Sequence, residues 1–173
     1  MKDDAKKIAE QGGHDGKIVQ FCTFHVAGRH YGVEILKVKE ITGETAFTPV
    51  YHAPDEVKGY VNIRGQINLV IDIRPLLGFE SKPADSSSRV VLFKPEVGEA
   101  FGILVDRIGD VVSSLESKIE RRERNRKNAG GVAQATHFNT EEIESGVCKL
   151  EKSLLVLLDP AKVLSSVQDS ISA

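Results

Sequence analysis

The sequence has no tryptophan, one methionine and two cysteines, and only 6% of its 173 residues are aromatic. The missing tryptophan excludes little. Cys22 and Cys148 lie within apolar runs without C-x-x-C spacing, which leaves them as reduced core residues of a cytoplasmic protein. No apolar run is long enough to span a bilayer. The stretch "MKDDAKKIAEQGGHDG" (1–16) contains no apolar h-region, so no secretory signal is expected and this segment is set aside as a tail. An excess of one charge is also lacking: 23 Lys and Arg against 25 Asp and Glu give a net charge of −2. No bulk field therefore favours nucleic acid or an anionic membrane. The phosphate-cradling G-x-x-x-x-G-K-[ST], the dinucleotide G-x-G-x-x-G and the G-x-S-x-G elbow are all absent. The five histidines are scattered, and His25 and His30 bracket a turn without metal-ligand spacing. No carboxylate pair stands out as acid and base. Neither an enzyme activity nor a metal or cofactor is expected.

What is present is an ordinary soluble composition, 40% apolar and 28% charged, arranged as an internal repeat. Shifted by 87 residues, "GYVNIRGQINLVIDIRPLL" (59–77) lies without a gap on "GVCKLEKSLLVLLDPAKVL" (146–164). Shifted by 70, "YGVEILKVKEI" (31–41) lies on "FGILVDRIGDV" (101–111). The offsets differ by 17, an insertion in the second copy. The chain thus divides into pseudo-repeats of roughly 17–79 and 89–165, a polar linker at 81–89, an insertion at about 117–137 and a C-terminal tail at 166–173. Together the repeats form one domain over 17–165.

Short alternating runs with Gly-rich turns predict a mainly β fold of two small five-stranded barrels with a few short helices. Brief helices are expected at "APDEVKG", "RPLLG" and "DPAKVL", each with a proline at its first position. In "GYVNIRGQINLVIDIRPLLGF" one parity (Ile63, Ile67, Leu69, Ile71) reads as buried and the other as solvated. Gly65 supplies the positive φ of a tight reversal and Gly59 closes the preceding helical turn. Arg64 is the anomaly. A turn beside Gly usually takes Asn, Asp or Pro, and the second repeat has Glu151 and Lys152 there. An arginine offers a planar fork of five donors suited to an interface. The insertion carries "ERRERNRK" (120–127), whose charges have helical spacing. It lacks the aromatics that nucleic-acid stacking needs, so no nucleic acid is expected.

These blocks in series, "HYGVEILKVKEI", "PDEVKGYVNIRGQINLVIDIRPLLG", "FGILVDRIGDVV" and "GVCKLEKSLLVLLDPAKVL", resemble the CheW family of chemotaxis coupling proteins over roughly residues 17–165. The resemblance implies two intertwined five-stranded, SH3-like barrels. It implies a non-catalytic, cytoplasmic adaptor between a chemoreceptor's cytoplasmic tip and the regulatory domain of the histidine kinase CheA, without direct membrane insertion. An adaptor in another chemosensory-type pathway, for surface motility or second-messenger control, is the alternative. Carried over from the family, Val38, Glu40, Asn62 and Arg64 become receptor-binding candidates, with Leu104 and Val105 from the facing barrel and Gly59 and Gly65 as turn residues. Leu69 stands where the family usually has proline, and Gly109 where serine is common.

Overall fold

The computed structural model describes residues 16–122 and 140–172. The first half supplies β1 (Ile18–Val26), β2 (Arg29–Glu34), β3 (Val38–Thr42), β4 (Val57–Ile63), β5 (Gln66–Asp72) and the short helix α1 (Ile73–Leu76). The second half supplies β6 (Arg89–Phe93), β7 (Phe101–Val105), β8 (Arg107–Ile108), β9 (Val112–Leu115) and β10 (Ile119–Arg121). After these come α2 (Thr140–Ile143), β11 (Glu144–Lys149), β12 (Leu154–Leu158) and α3 (Pro160–Ser172).

One sheet runs β3-β6-β7-β5-β4, and the other runs β10-β11-β12-β2-β1-β8 with β9 also on β1. Each sheet therefore mixes strands of both repeats. The exchange is symmetric. Leu69 of β5 pairs in parallel with Phe101 of β7, and Val156 of β12 pairs in parallel with Tyr31 of β2. The 87-residue shift carries Leu69 to Val156 and the 70-residue shift carries Tyr31 to Phe101, so one pairing is the image of the other.

Irregularities are duplicated as well. Register slips between Val57 and Gly59 on β4 and between Glu144 and Gly146 on β11. Between Val38 and Glu40, β3 carries one residue more than its partner β6. The step from Ile108 to Val112 does the same against the run from Phe24 to Phe21 on β1. In that second copy the bulge breaks the strand into β8 and β9, and the Thr23 hydroxyl donates to the Asp110 carbonyl at 2.5 Å. This break, with the short β10, gives one sheet seven strands where five are expected. The counterpart of β10 in the other sheet is a single bridge between Thr48 and Tyr60, matching the pairing of Glu120 with Val147.

Among the described residues three apolar clusters hold the fold. Val61, Val70, Val90, Leu92 and Leu104 fill one sheet. Phe21, Ile119, Cys148, Leu155 and Leu157 fill the other. The largest cluster, including Phe24, Tyr31, Ile71, Phe93, Phe101, Ile103, Leu158 and Val163, draws on both sheets and on α1 and α3. Strands β5 and β12 thus have apolar neighbours on both faces, which corrects the expectation of one buried parity. Val70 and Asp72 are buried along with Ile71, whereas Ile67 is 55% exposed at the hairpin end. Its repeat mate Leu154 is 57% exposed, so burial follows the repeat even where it departs from alternation.

The helices differ from expectation in two places. Residues 54–56 form a turn that runs straight into β4, because Gly59 sits at the bulge of a strand and ends no helix. Helix α3 begins at Pro160 with Asp159 accepting from the Ala161 N–H at 3.0 Å, as expected, but it continues to Ser172. Val167 is fully buried, so residues 166–172 are structural and no tail. In the "RPLLG" segment Asp72 caps α1 by accepting from the Arg74 N–H at 3.0 Å, and Gly78 follows the helix with φ 81°.

Candidate functional site

The β4–β5 hairpin reverses at Arg64 and Gly65, with Ile63 paired to Gln66 across the turn. Both turn residues have positive φ, 53° and 82°. This is the geometry of a two-residue primed turn, whose twist matches that of the flanking strands. Gly adopts it freely, while an arginine there costs about 1 kcal/mol. Asn62 offsets part of that cost, because its Oδ1 accepts from the Gly65 N–H at 2.9 Å. Asn62 is therefore engaged in shaping the turn. Arg64 is left 83% exposed, with its Nη2 3.8 Å from Glu40 Oε1.

Glu40 reaches this position through the bulge in β3, since an extra residue re-aims the side chains that follow it. Lys39, the bulged residue, donates to Gln66 Oε1 at 2.7 Å. Two contacts therefore link the edge strand β3 to the hairpin tip, one ionic and one between neutral and charged partners. Val38 is half-buried and packs against the largest core cluster. Leu104 and Val105 are 6% and 1% exposed and sit in the core, so they serve packing and present no surface to a partner.

Gly59 is required by close approach. It has φ 134°, and a Cβ on it would overlap the Thr48 carbonyl oxygen. The matched Gly146 repeats the constraint, with the Glu120 carbonyl oxygen 2.6 Å from an ideal Cβ. This explains why the 87-residue alignment begins on a glycine in both copies.

Sequence inspection missed the charged anchor behind the hairpin. Asp72 is 1% exposed; its Oδ2 lies 3.3 Å from Lys58 Nζ and accepts from the Ser81 hydroxyl at 2.9 Å. Arg74 of α1 donates to Asp106, which also accepts from the Ala27 N–H at 2.9 Å and so ties both halves together. The only sequence signal was an Asp and an Arg beside apolar residues at the end of β5. The segment 120–127 also departs from its expected helical pairing where it can be described. Glu120 lies in β10 and accepts from Lys149 at 2.7 Å, and Arg122 pairs with Glu144 at 2.5 Å. Residues 123–127 lie outside the described residues.

His25 and His30 face each other across β1 and β2 with rings stacked at 4.7 Å. Burial, and then the Arg107 guanidinium, push both imidazoles below their ordinary value of 6.5. Among the described residues no group of three or more His, Cys, Asp or Glu could hold a metal ion. No helix among them is long and apolar enough to cross a membrane. The exposed fork of Arg64, the nearby carboxylate and the adjacent apolar surface can bind a partner.

Comparison with known proteins converges on one family. The model of the CheW-like domain matches residues 20–168. The chain is 32% identical to a chemotaxis protein CheW of Klebsiella aerogenes over 148 residues, 85% of this chain and 82% of that one. It is 29% identical to a chemotaxis protein CheW of Bacillus subtilis, over 84% of this chain and 86% of that one. The crystal structure of the scaffolding protein TtCheW from Thermoanaerobacter tengcongensis superposes with a TM-score of 0.67 at 22% identity, covering 82% of this chain and 89% of that one, and shows the shared fold. The chain belongs to the CheW family, the non-catalytic scaffold and coupling proteins of chemotaxis.

Proposed function

We propose that the protein couples chemoreceptors to a histidine kinase. The surface around Arg64, Glu40, Asn62 and Val38 binds the receptor's cytoplasmic tip, and another face binds the regulatory domain of CheA. One observation carries this reading. The chain places an arginine at a turn position with φ 53°, where Asn or Gly is the easier residue, and leaves its guanidinium 83% exposed. Folding gains little from it, since an exposed pair such as Arg64 with Glu40 contributes only about 0–1 kcal/mol. At a desolvated interface the same fork is worth about 2 kcal/mol or more, over tenfold in affinity.

The test is Arg64→Asn, which suits the left-handed turn better than arginine and removes the fork. Its melting temperature should equal or exceed the wild type's, while receptor-dependent kinase activation in reconstituted arrays falls at least about tenfold. A variant that couples at full strength would mean that Arg64 is ordinary surface.

A further inference from the structure

The apolar surface beside Arg64 is longer than the Glu40–Arg64 pair can use. Ile67 is 55% exposed, Tyr60 44%, Val50 39% and Tyr51 87%. Their order follows from the pairing. Ile67 lies opposite Asn62, and Tyr60 is bridged to Thr48. Directly paired residues put their side chains on the same face, so Ile67, Asn62, Tyr60 and Thr48 stand together on the outside of the sheet. Phe47, the neighbour of Thr48, points the other way and packs into the core. Because the bridge is antiparallel, the chain after Thr48 runs away from the Arg64 turn; Val50 keeps the parity of Thr48, and Tyr51 follows it at the start of the next turn. From Asn62 to the level of Val50 the stripe is about 13 Å long at 3.3 Å per residue, between two and three turns of an α-helix, and Tyr51 stands just beyond its far end.

Tyr51 is also held in place. Prolines 49 and 54 flank the segment, His52 takes φ 60°, and the Ala53 N–H donates to the Val50 carbonyl at 3.4 Å. A large aromatic ring presented to water on a turn with restricted backbone loses little freedom on binding. Tyrosine and arginine are the residue types that dominate interface energies.

We infer that Tyr51 is the far anchor of the receptor-binding surface. It seats against aliphatic side chains that a helical segment of the receptor presents at successive turns, with Tyr60 and Ile67 between it and Arg64. The inference rests on the receptor reading of Arg64. The experiment titrates the cytoplasmic fragment of a cognate chemoreceptor, and separately the CheA regulatory domain, into purified wild type, Tyr51→Ala, Tyr51→Phe, Tyr51→Lys and Arg64→Asn. Tyr51→Ala and Tyr51→Lys should weaken receptor binding about tenfold or more. Tyr51→Phe should stay within about twofold, with the melting temperature and kinase binding unchanged in all three Tyr51 variants. If Arg64→Asn loses receptor affinity and Tyr51→Ala does not, the stripe is not used and the inference falls while the Arg64 reading stands. If neither variant loses affinity, the receptor reading fails and takes this inference with it. If Tyr51→Ala weakens binding of the kinase domain instead, the anchor is assigned to the wrong partner.

Discussion

At the scale of single residues, the protein separates positions that shape the backbone from positions that face outward, and the two are adjacent in sequence. Asn62 and Gly65 build the turn, and Arg64 between them is displayed by it. Gly59 belongs wholly to the first class. Gly59→Ala places a Cβ against the Thr48 carbonyl at a φ that L-residues rarely adopt, and should cost about 2–4 kcal/mol. Denaturant melts of Gly59→Ala and Gly146→Ala check this. Gly146 lacks the positive φ, so its variant should be the milder of the two. Equal, small losses would show that the two bulges relax without effort.

At the scale of elements, the repeat determines which positions are buried. Ile71 and its mate Leu158 lie in the core that the two sheets share, whereas Ile67 and Leu154 stand at hairpin ends in water. Ile71→Ala should therefore cost about 2–5 kcal/mol, and Ile67→Ala less than about 1 kcal/mol, although both isoleucines are on one strand at one parity. Equilibrium unfolding of the two variants under identical conditions decides it; similar losses would contradict the placement of β5. Asp72 occupies the same strand as a buried carboxylate answered by Lys58, Ser81 and the Arg74 N–H. It anchors the start of the linker to the end of β5, so the crossing from one half to the other begins from a fixed point.

For the whole molecule, neither half can fold as a barrel alone, because β1 and β2 complete the sheet of β10, β11 and β12 while β6 and β7 complete that of β3, β4 and β5. The parts on which that exchange depends include the β1–β2 hairpin, and it carries a pH dependence. The stacked His25 and His30 resist protonation in the folded chain, first through burial and then through Arg107. Above the ordinary value of 6.5 both imidazoles are neutral folded or unfolded, so the stability linked to them is fully present. As pH falls through that value the unfolded chain binds protons that the folded chain refuses, and this stability is lost until the lowered folded-state values are passed. Melting temperature should therefore drop between about pH 6.5 and 5 in the wild type and less in the double variant His25→Gln, His30→Gln. Parallel pH profiles for the two proteins would remove the histidines from the account.

Local chemistry made much of this molecule legible in advance. The two offsets, the turn at Arg64 and Gly65, the capping Asp159 and the neighbourhood of Glu40 with Arg64 follow from spacing, special φ residues and family resemblance, all of which are properties of short segments. Burial on β5 did not follow, because alternation reports one buried face, whereas β5 packs one face into its own sheet's cluster and the other into the core between the sheets. Leu104 and Val105 came from the family resemblance as receptor-binding candidates, and the packing of β7 between β5 and β6 puts them inside. The glycine shared by both repeats was visible as a letter, but its reason, the carbonyl of Thr48 against Gly59 and of Glu120 against Gly146, exists only once the chain has closed on itself. Sequence by itself determined most of the strands and the symmetry that relates them. Tertiary structure decided which faces meet water, since that depends on what each strand's neighbour across the exchange happens to cover.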